Sequence, residues 1–221
     1  MGVHYMIQIG KWEVPKDLFL FFVISALLGV VMAVESTSLA NRLYEDLHFT
    51  VMQRSMVEMP RELPGLLTVV LFGILNGLGD IRIAAFANII GGIGLLLFGL
   101  APNRFSLVLA FLVIYSIGQH LYLPLSNSIA MSFASGENFG KRIGEVQAIG
   151  SLSVIIASAS LYFLYQFFSI TYRTVFTFAA FCMVFAGILF LTMAKQSNPV
   201  VGQKRFVFRK EYKMFYILAT I

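Results

Sequence analysis

Few side chains in this sequence combine chemical reactivity with an apolar setting, and Glu35 is the clearest of them. It follows a charge-free run, 18–34, and is itself followed by Ser36, Thr37 and Ser38. An ionisable group inside a membrane helix is costly and marks a pathway more often than a packing site. Such a carboxylate suits a cation, a substrate amine, or a coupling proton if desolvation raises its pKa. The competing reading is a surface-hydrated residue near Arg42. A second concentration lies at Tyr115, Ser116, Gln119, His120, Tyr122, Ser126 and Asn127. Positions 115, 119, 122 and 126 fall on one helical face, with 116, 120 and 127 flanking it. A polar sector of that kind belongs against a cavity or another helix. It offers hydrogen bonds to a solute, and His120 is of the residue type suited to carrying a proton. The alternative is interhelical hydrogen bonding that only holds helices together. A third set, Gln147, Ser151 and Ser158, shares a face but lies among Ala148, Gly150 and Ala157, which favours packing.

The elements that must position these groups follow from hydropathy. The chain is 58% hydrophobic and 12% charged, about half the charged fraction of an average soluble domain. Charge-free runs cover 18–34, 63–79, 83–103, 105–136, 146–172 and 174–194. Each is near or above the roughly 20 apolar residues a helix needs to cross a bilayer. Strand-like alternation is absent, so a barrel is not indicated. The expectation is an all-α polytopic membrane protein with spans at 17–39, 63–79, 83–103, 105–130, 145–168 and 173–194. Lys11 and Lys16 ahead of the first apolar run resemble a cleavable leader. An uncleaved first helix is preferred, because later spans give it partners.

Between the second and third spans stands "NGLGDIRIAAF", residues 76–86. One helix over 63–103 would be about 60 Å long, more than a bilayer accommodates. Gly77 and Gly79 permit a tight turn, so Asp80 and Arg82 are read as the tip of a hairpin. The segment 40–62 is read as a long loop of mixed charge on the opposite side.

Eleven Lys and Arg residues fall on the side of the N-terminus and five on the other. The positive-inside rule places the N-terminus in the cytoplasm. The resulting division is a cytoplasmic tail (1–16), a six-helix bundle (17–194), a basic cytoplasmic linker (195–211) and the start of a truncated seventh helix (212–221). The net charge of +5 fits basic stretches lying against anionic lipid, with no nucleic acid required. Cys182 is alone, which excludes an intrachain disulfide. No metal cluster, nucleophile turn, P-loop or dinucleotide fingerprint is present in the sequence, so neither an enzyme nor a cofactor is expected.

The layout of six spans, an acidic second–third turn and a basic linker resembles the N-terminal half of a major facilitator superfamily transporter, with the start of its seventh helix. In "NGLGDIRIAA" Asp80 matches the central acid of the family's Gly-x-x-x-Asp-basic-x-Gly-basic-basic loop. Asn76 replaces its first glycine, Arg82 sits one place late, and Ile83, Ala84 and Ala85 replace the later residues. "FGKRIGEVQAIGSLS" resembles the fourth–fifth junction, whereas the Arg-x-x-Gln-Gly motif keeps only Gln119. "PRELPG" and "GQHLYLPL" are similar to segments of uncharacterised bacterial members.

The resemblance implies secondary transport of a small solute across a cell membrane, in bacteria the inner membrane, by two halves rocking around a midplane site. The second half would be a missing C-terminal partner. Glu35, Gln119, His120, Tyr122, Ser126 and Gln147 are the expected substrate-binding or coupling residues, and a proton is the candidate coupling ion. Asp80 and Arg82 are the expected cytoplasmic gate. The alternative is a membrane scaffold with a half-transporter fold and no transport of its own.

Overall fold

The computed structural model describes residues 6–193, apart from 10, 11, 76 and 135–137. The expected linker 195–211 and seventh-helix start 212–221, together with Asn76, lie outside the described residues.

Within the expected tail, β1 (Met6–Ile9) pairs antiparallel with β2 (Trp12–Pro15), Met6 opposite Pro15 and Ile9 opposite Trp12. Every element after it among the described residues is a helix. Pro15 ends the strand, and α1 (Lys16–Asn41) begins at the next residue with Asp17 in its first turn, where a negative charge complements the helix dipole. A wider π turn, Arg42–Asp46, extends α1. The chain reverses at His48, whose φ is 53°.

The segment expected to be a loop is largely helix, and this corrects the reading of 40–62. α2 spans Val51–Leu66 and is followed, after a turn at Leu67, by α3 (Thr68–Leu75). The start is fixed by a reciprocal cap: the Thr50 hydroxyl accepts from the Gln53 amide, and the Gln53 side chain accepts from the Thr50 amide at 2.9 Å. Such a box satisfies two otherwise unpaired donors. Pro60 and Pro64 lie inside α2, where each removes an intrahelical hydrogen bond, and the rod breaks just beyond the second. Helix therefore begins at Val51, twelve residues before the span expected from 63, and is broken at Leu67.

The remaining helices are α4 (Asp80–Leu100), α5 (Phe105–Ser132), α6 (Phe139–Phe168) and α7 (Tyr172–Thr192). Counting α2–α3 as one broken rod, the bundle has six helices. Among the described residues five helices are long and apolar enough to cross a membrane: α1 with its π extension, α4, α5, α6 and α7. The α2–α3 rod is not among them, because Leu67 divides it and its first part carries Arg54, Glu58, Arg61 and Glu62.

α4 is the central helix, packed between α5 and α7, while α1 packs on α6 and α7. Close approach is made by glycine. A Cβ on Gly187 would overlap Ile89 at 2.7 Å, and one on Gly118 would overlap the Gly91 backbone at 2.6 Å. Small residues at such crossings let helix backbones touch, which strengthens packing where no hydrophobic drive operates. Two apolar layers result. One gathers Val34, Leu43, Phe98, Leu112 and Phe176, and the other Phe21, Ile24, Ala84, Ile129 and Phe190.

Arg42, 2% exposed, pins the end of α1 to the end of α4. Its Nη2 donates to the carbonyls of Phe98 and Gly99, both at 3.0 Å, and its Nη1 to Asp46 at 3.0 Å. The guanidinium also lies over the Phe98 ring, 5.1 Å from the centroid. These carbonyls belong to the last turn of α4, where regular helical partners run out; that of Phe98 also accepts from the Ala101 amide at 3.1 Å. A lysine ammonium cannot reproduce the planar fork. Arg42→Lys is expected to lower stability by about 1–3 kcal/mol, read as a reduced unfolding midpoint of the reconstituted protein. An unchanged midpoint would show the fork to be dispensable.

Candidate functional site

Glu35 stands on α1 next to Val34 of the first apolar layer, with its side chain 12% exposed. Three donors from two other helices reach it. Arg61 of α2 places Nη1 2.8 Å from Oε1. On α5, Tyr115 donates its hydroxyl to Oε2 at 2.6 Å and Gln119 donates Nε2 to the same oxygen at 2.9 Å. Tyr115 and Gln119 are four residues apart and so project from one face. Charge-assisted bonds of this kind are roughly twice as strong as neutral ones, so the three donors fix the carboxylate between α1, α2 and α5.

Arg61 is also the centre of a wider network. Its Nη2 lies 2.7 Å from Glu58 and 3.1 Å from Glu62, while its main-chain carbonyl accepts from the Ser116 hydroxyl. Glu62 in turn lies 3.2 Å from His120 Nε2. α2 is thus fastened to α1 and α5 through polar contacts. Gly65 permits the approach, since a Cβ there would stand 2.9 Å from the His120 ring. Gly65→Val is expected to push α2 off the ring and weaken the Glu62–His120 contact. The effect is measurable as a lower unfolding midpoint of the reconstituted protein, since α2 loses a contact with α5. An unchanged midpoint would refute the contact.

Beside this hub opens a cavity of about 620 Å³, within the range of small-molecule sites. One wall is α1, through Met32, Glu35, Ser36, Leu39 and Leu43; the other is α2, through Val51, Arg54, Ser55, Glu58 and Arg61. Gln119 contributes from α5.

Of the residues singled out in the sequence, Glu35 and Gln119 touch, and His120 joins through Glu62. Tyr122 and Ser126 lie farther along α5, with the Tyr122 ring centroid 6.0 Å from that of Phe190. They do not line the cavity. Gln147 is on an exposed face of α6, away from the hub. Glu35 pairs with Arg61 and not with Arg42, which is buried at the end of α4. Asp80 opens α4 behind Gly79 (φ 77°) and accepts from Ser128 of α5 at 2.5 Å. Arg82 is exposed on the following turn. Sequence reasoning missed Arg61, Glu58 and Glu62, having placed them in a loop. The Thr50–Gln53 spacing was the signal for the helix that carries them.

The family model described as Major Facilitator Superfamily matches residues 18–215. The chain belongs to that superfamily. Membership makes it a multi-pass membrane transporter of a solute and not an enzyme. Comparison with curated proteins yields no match. In this facilitator the ion-paired hub and the cavity both lie between α1, α2 and α5, and the Asp80–Ser128 contact joins the start of α4 to the end of α5.

Proposed function

We propose that the chain carries a small solute by alternating access, with Glu35 as its coupling carboxylate and a proton as the coupling ion. The observation that carries this reading is the convergence of Arg61, Tyr115 and Gln119 on Glu35 at the edge of the cavity. A proton on Glu35 removes the charge that Arg61 faces. The guanidinium still has Glu58 and Glu62, so α2 is freed from α1 without stranding a cation. Solute binding and protonation then act on one contact, as coupling requires.

The remaining parts of the reading have their own support. The excess of Lys and Arg on the N-terminal side favours a cytoplasmic N-terminus and, in a bacterium, the inner membrane. Asp80, held by Ser128, and Arg82 on the next turn serve as the cytoplasmic gate. A second six-helix half fits the surface of α6, where Gln147 and Ser151 are exposed; polar groups on a membrane helix favour a protein neighbour over lipid. On this view residues 17–194 form the first half and 195–211 a basic linker to the next helix at 212–221.

Alternation is tested by side-specific labelling. Ser36 is exposed and lines the cavity, and the native Cys182 is buried. Ser36→Cys in a Cys182→Ala background is treated with a membrane-impermeant thiol reagent on vesicles of both orientations. Labelling from each side is expected. Labelling from one side alone would overturn alternating access and favour the half-transporter scaffold.

A further inference from the structure

We infer that the solute is an amphipathic organic anion whose carboxylate is held by Arg54. The inference rests on the solute site proposed above and names its substrate class.

Within the cavity, the charges near Glu35 are already matched. Glu35 holds three donors, and Arg61 is shared among Glu35, Glu58 and Glu62. Arg54 differs. Among the described residues no carboxylate lies within ion-pair distance of it, and its Nε is buried with no hydrogen-bond partner. Buried donors in folded proteins are nearly always satisfied, so this nitrogen, on a cavity wall, points to a missing acceptor. The guanidinium lies over the Tyr44 ring, 5.1 Å from its centroid.

Two further features favour an anion there. Arg54 sits in the first turn of α2, at the positive end of the helix dipole. It is also seven residues from Arg61, about 10 Å along the helix axis, so a ligand on Arg54 need not disturb the Glu35 pair. An amine would have to displace donors from Glu35 or Glu58, whereas a carboxylate displaces nothing. Leu39, Leu43 and Val51 line the same cavity and supply the surface for an apolar body.

The test uses the full-length protein in nanodiscs, with octanoate, octylamine and octan-1-ol as probes. A ligand that binds the folded state alone raises the unfolding midpoint. Octanoate is expected to raise it and the other two to leave it unchanged. Arg54→Gln is expected to weaken octanoate binding about ten-fold or more, the loss of a charge-assisted pair, and Arg54→Lys to recover part of it. Equal stabilisation by octylamine or octan-1-ol in the wild type would overturn the inference even if the variants failed to fold. So would octanoate binding to Arg54→Gln at wild-type strength. Flux in proteoliposomes separates this inference from the reading beneath it. Arg54-dependent octanoate binding without flux would sink coupled transport and leave the anion site standing. Flux selective for octylamine would do the reverse.

Discussion

Arg61→Met is expected to lower the unfolding midpoint of the reconstituted protein more than any other single change at the site. The guanidinium faces three carboxylates, of which Glu58 and Glu62 are 52% and 56% exposed and Glu35 only 12%. Water compensates the first two when Arg61 is removed. Glu35 keeps Tyr115 and Gln119 but loses its countercharge. Breaking a buried pair from one side costs about 3–5 kcal/mol, and the partial exposure of both partners favours the lower end, about 3 kcal/mol. α2 also loses its direct link to α1. Adding Glu35→Gln to Arg61→Met is expected to restore much of the loss, since removing both charges leaves nothing uncompensated. A midpoint for Arg61→Met equal to the wild type would show that the pair does not hold α2 in place.

Glu35→Gln alone is expected to act on transport and barely on stability. A glutamine side chain still accepts from Tyr115, and Arg61 retains two carboxylates. What disappears is the group able to take up a proton. Proton-driven accumulation of solute in proteoliposomes is expected to fall about 100-fold, equivalent to about 2.7 kcal/mol. Exchange of solute across the membrane without a proton gradient is expected to survive. Undiminished accumulation driven by a pH gradient would remove Glu35 from the coupling step.

The contrast between these two residues explains what could be read from the sequence. Glu35 and Gln119 interrupt apolar spans, where a polar group is costly enough to draw attention by itself. Arg61 sits among Glu58, Glu62 and two prolines, a composition that reads as a loop. Its significance depends on partners 26 and 55 residues away, and nothing local reveals them. The long helices were legible because the bilayer criterion of length and hydropathy needs no tertiary information. α2 was not, because it is amphipathic and its start rests on the Thr50–Gln53 cap instead of hydrophobicity. Gln147 shows the converse: a polar residue in a span, but on a face that this bundle leaves open. The hairpin at 6–15 left no alternating signal long enough to separate it from the tail.

The glycine contacts of α4 have a mechanical consequence. Where backbones touch at Gly91–Gly118 and at Gly187–Ile89, no layer of side chains remains to re-pack, so α4, α5 and α7 can shift only as one body. α2 has a different construction, with a break at Leu67, two internal prolines and an attachment that joins the charges around Arg61 to the buried Val57. Compliance is therefore expected to be uneven: a stiff three-helix frame bears a jointed arm.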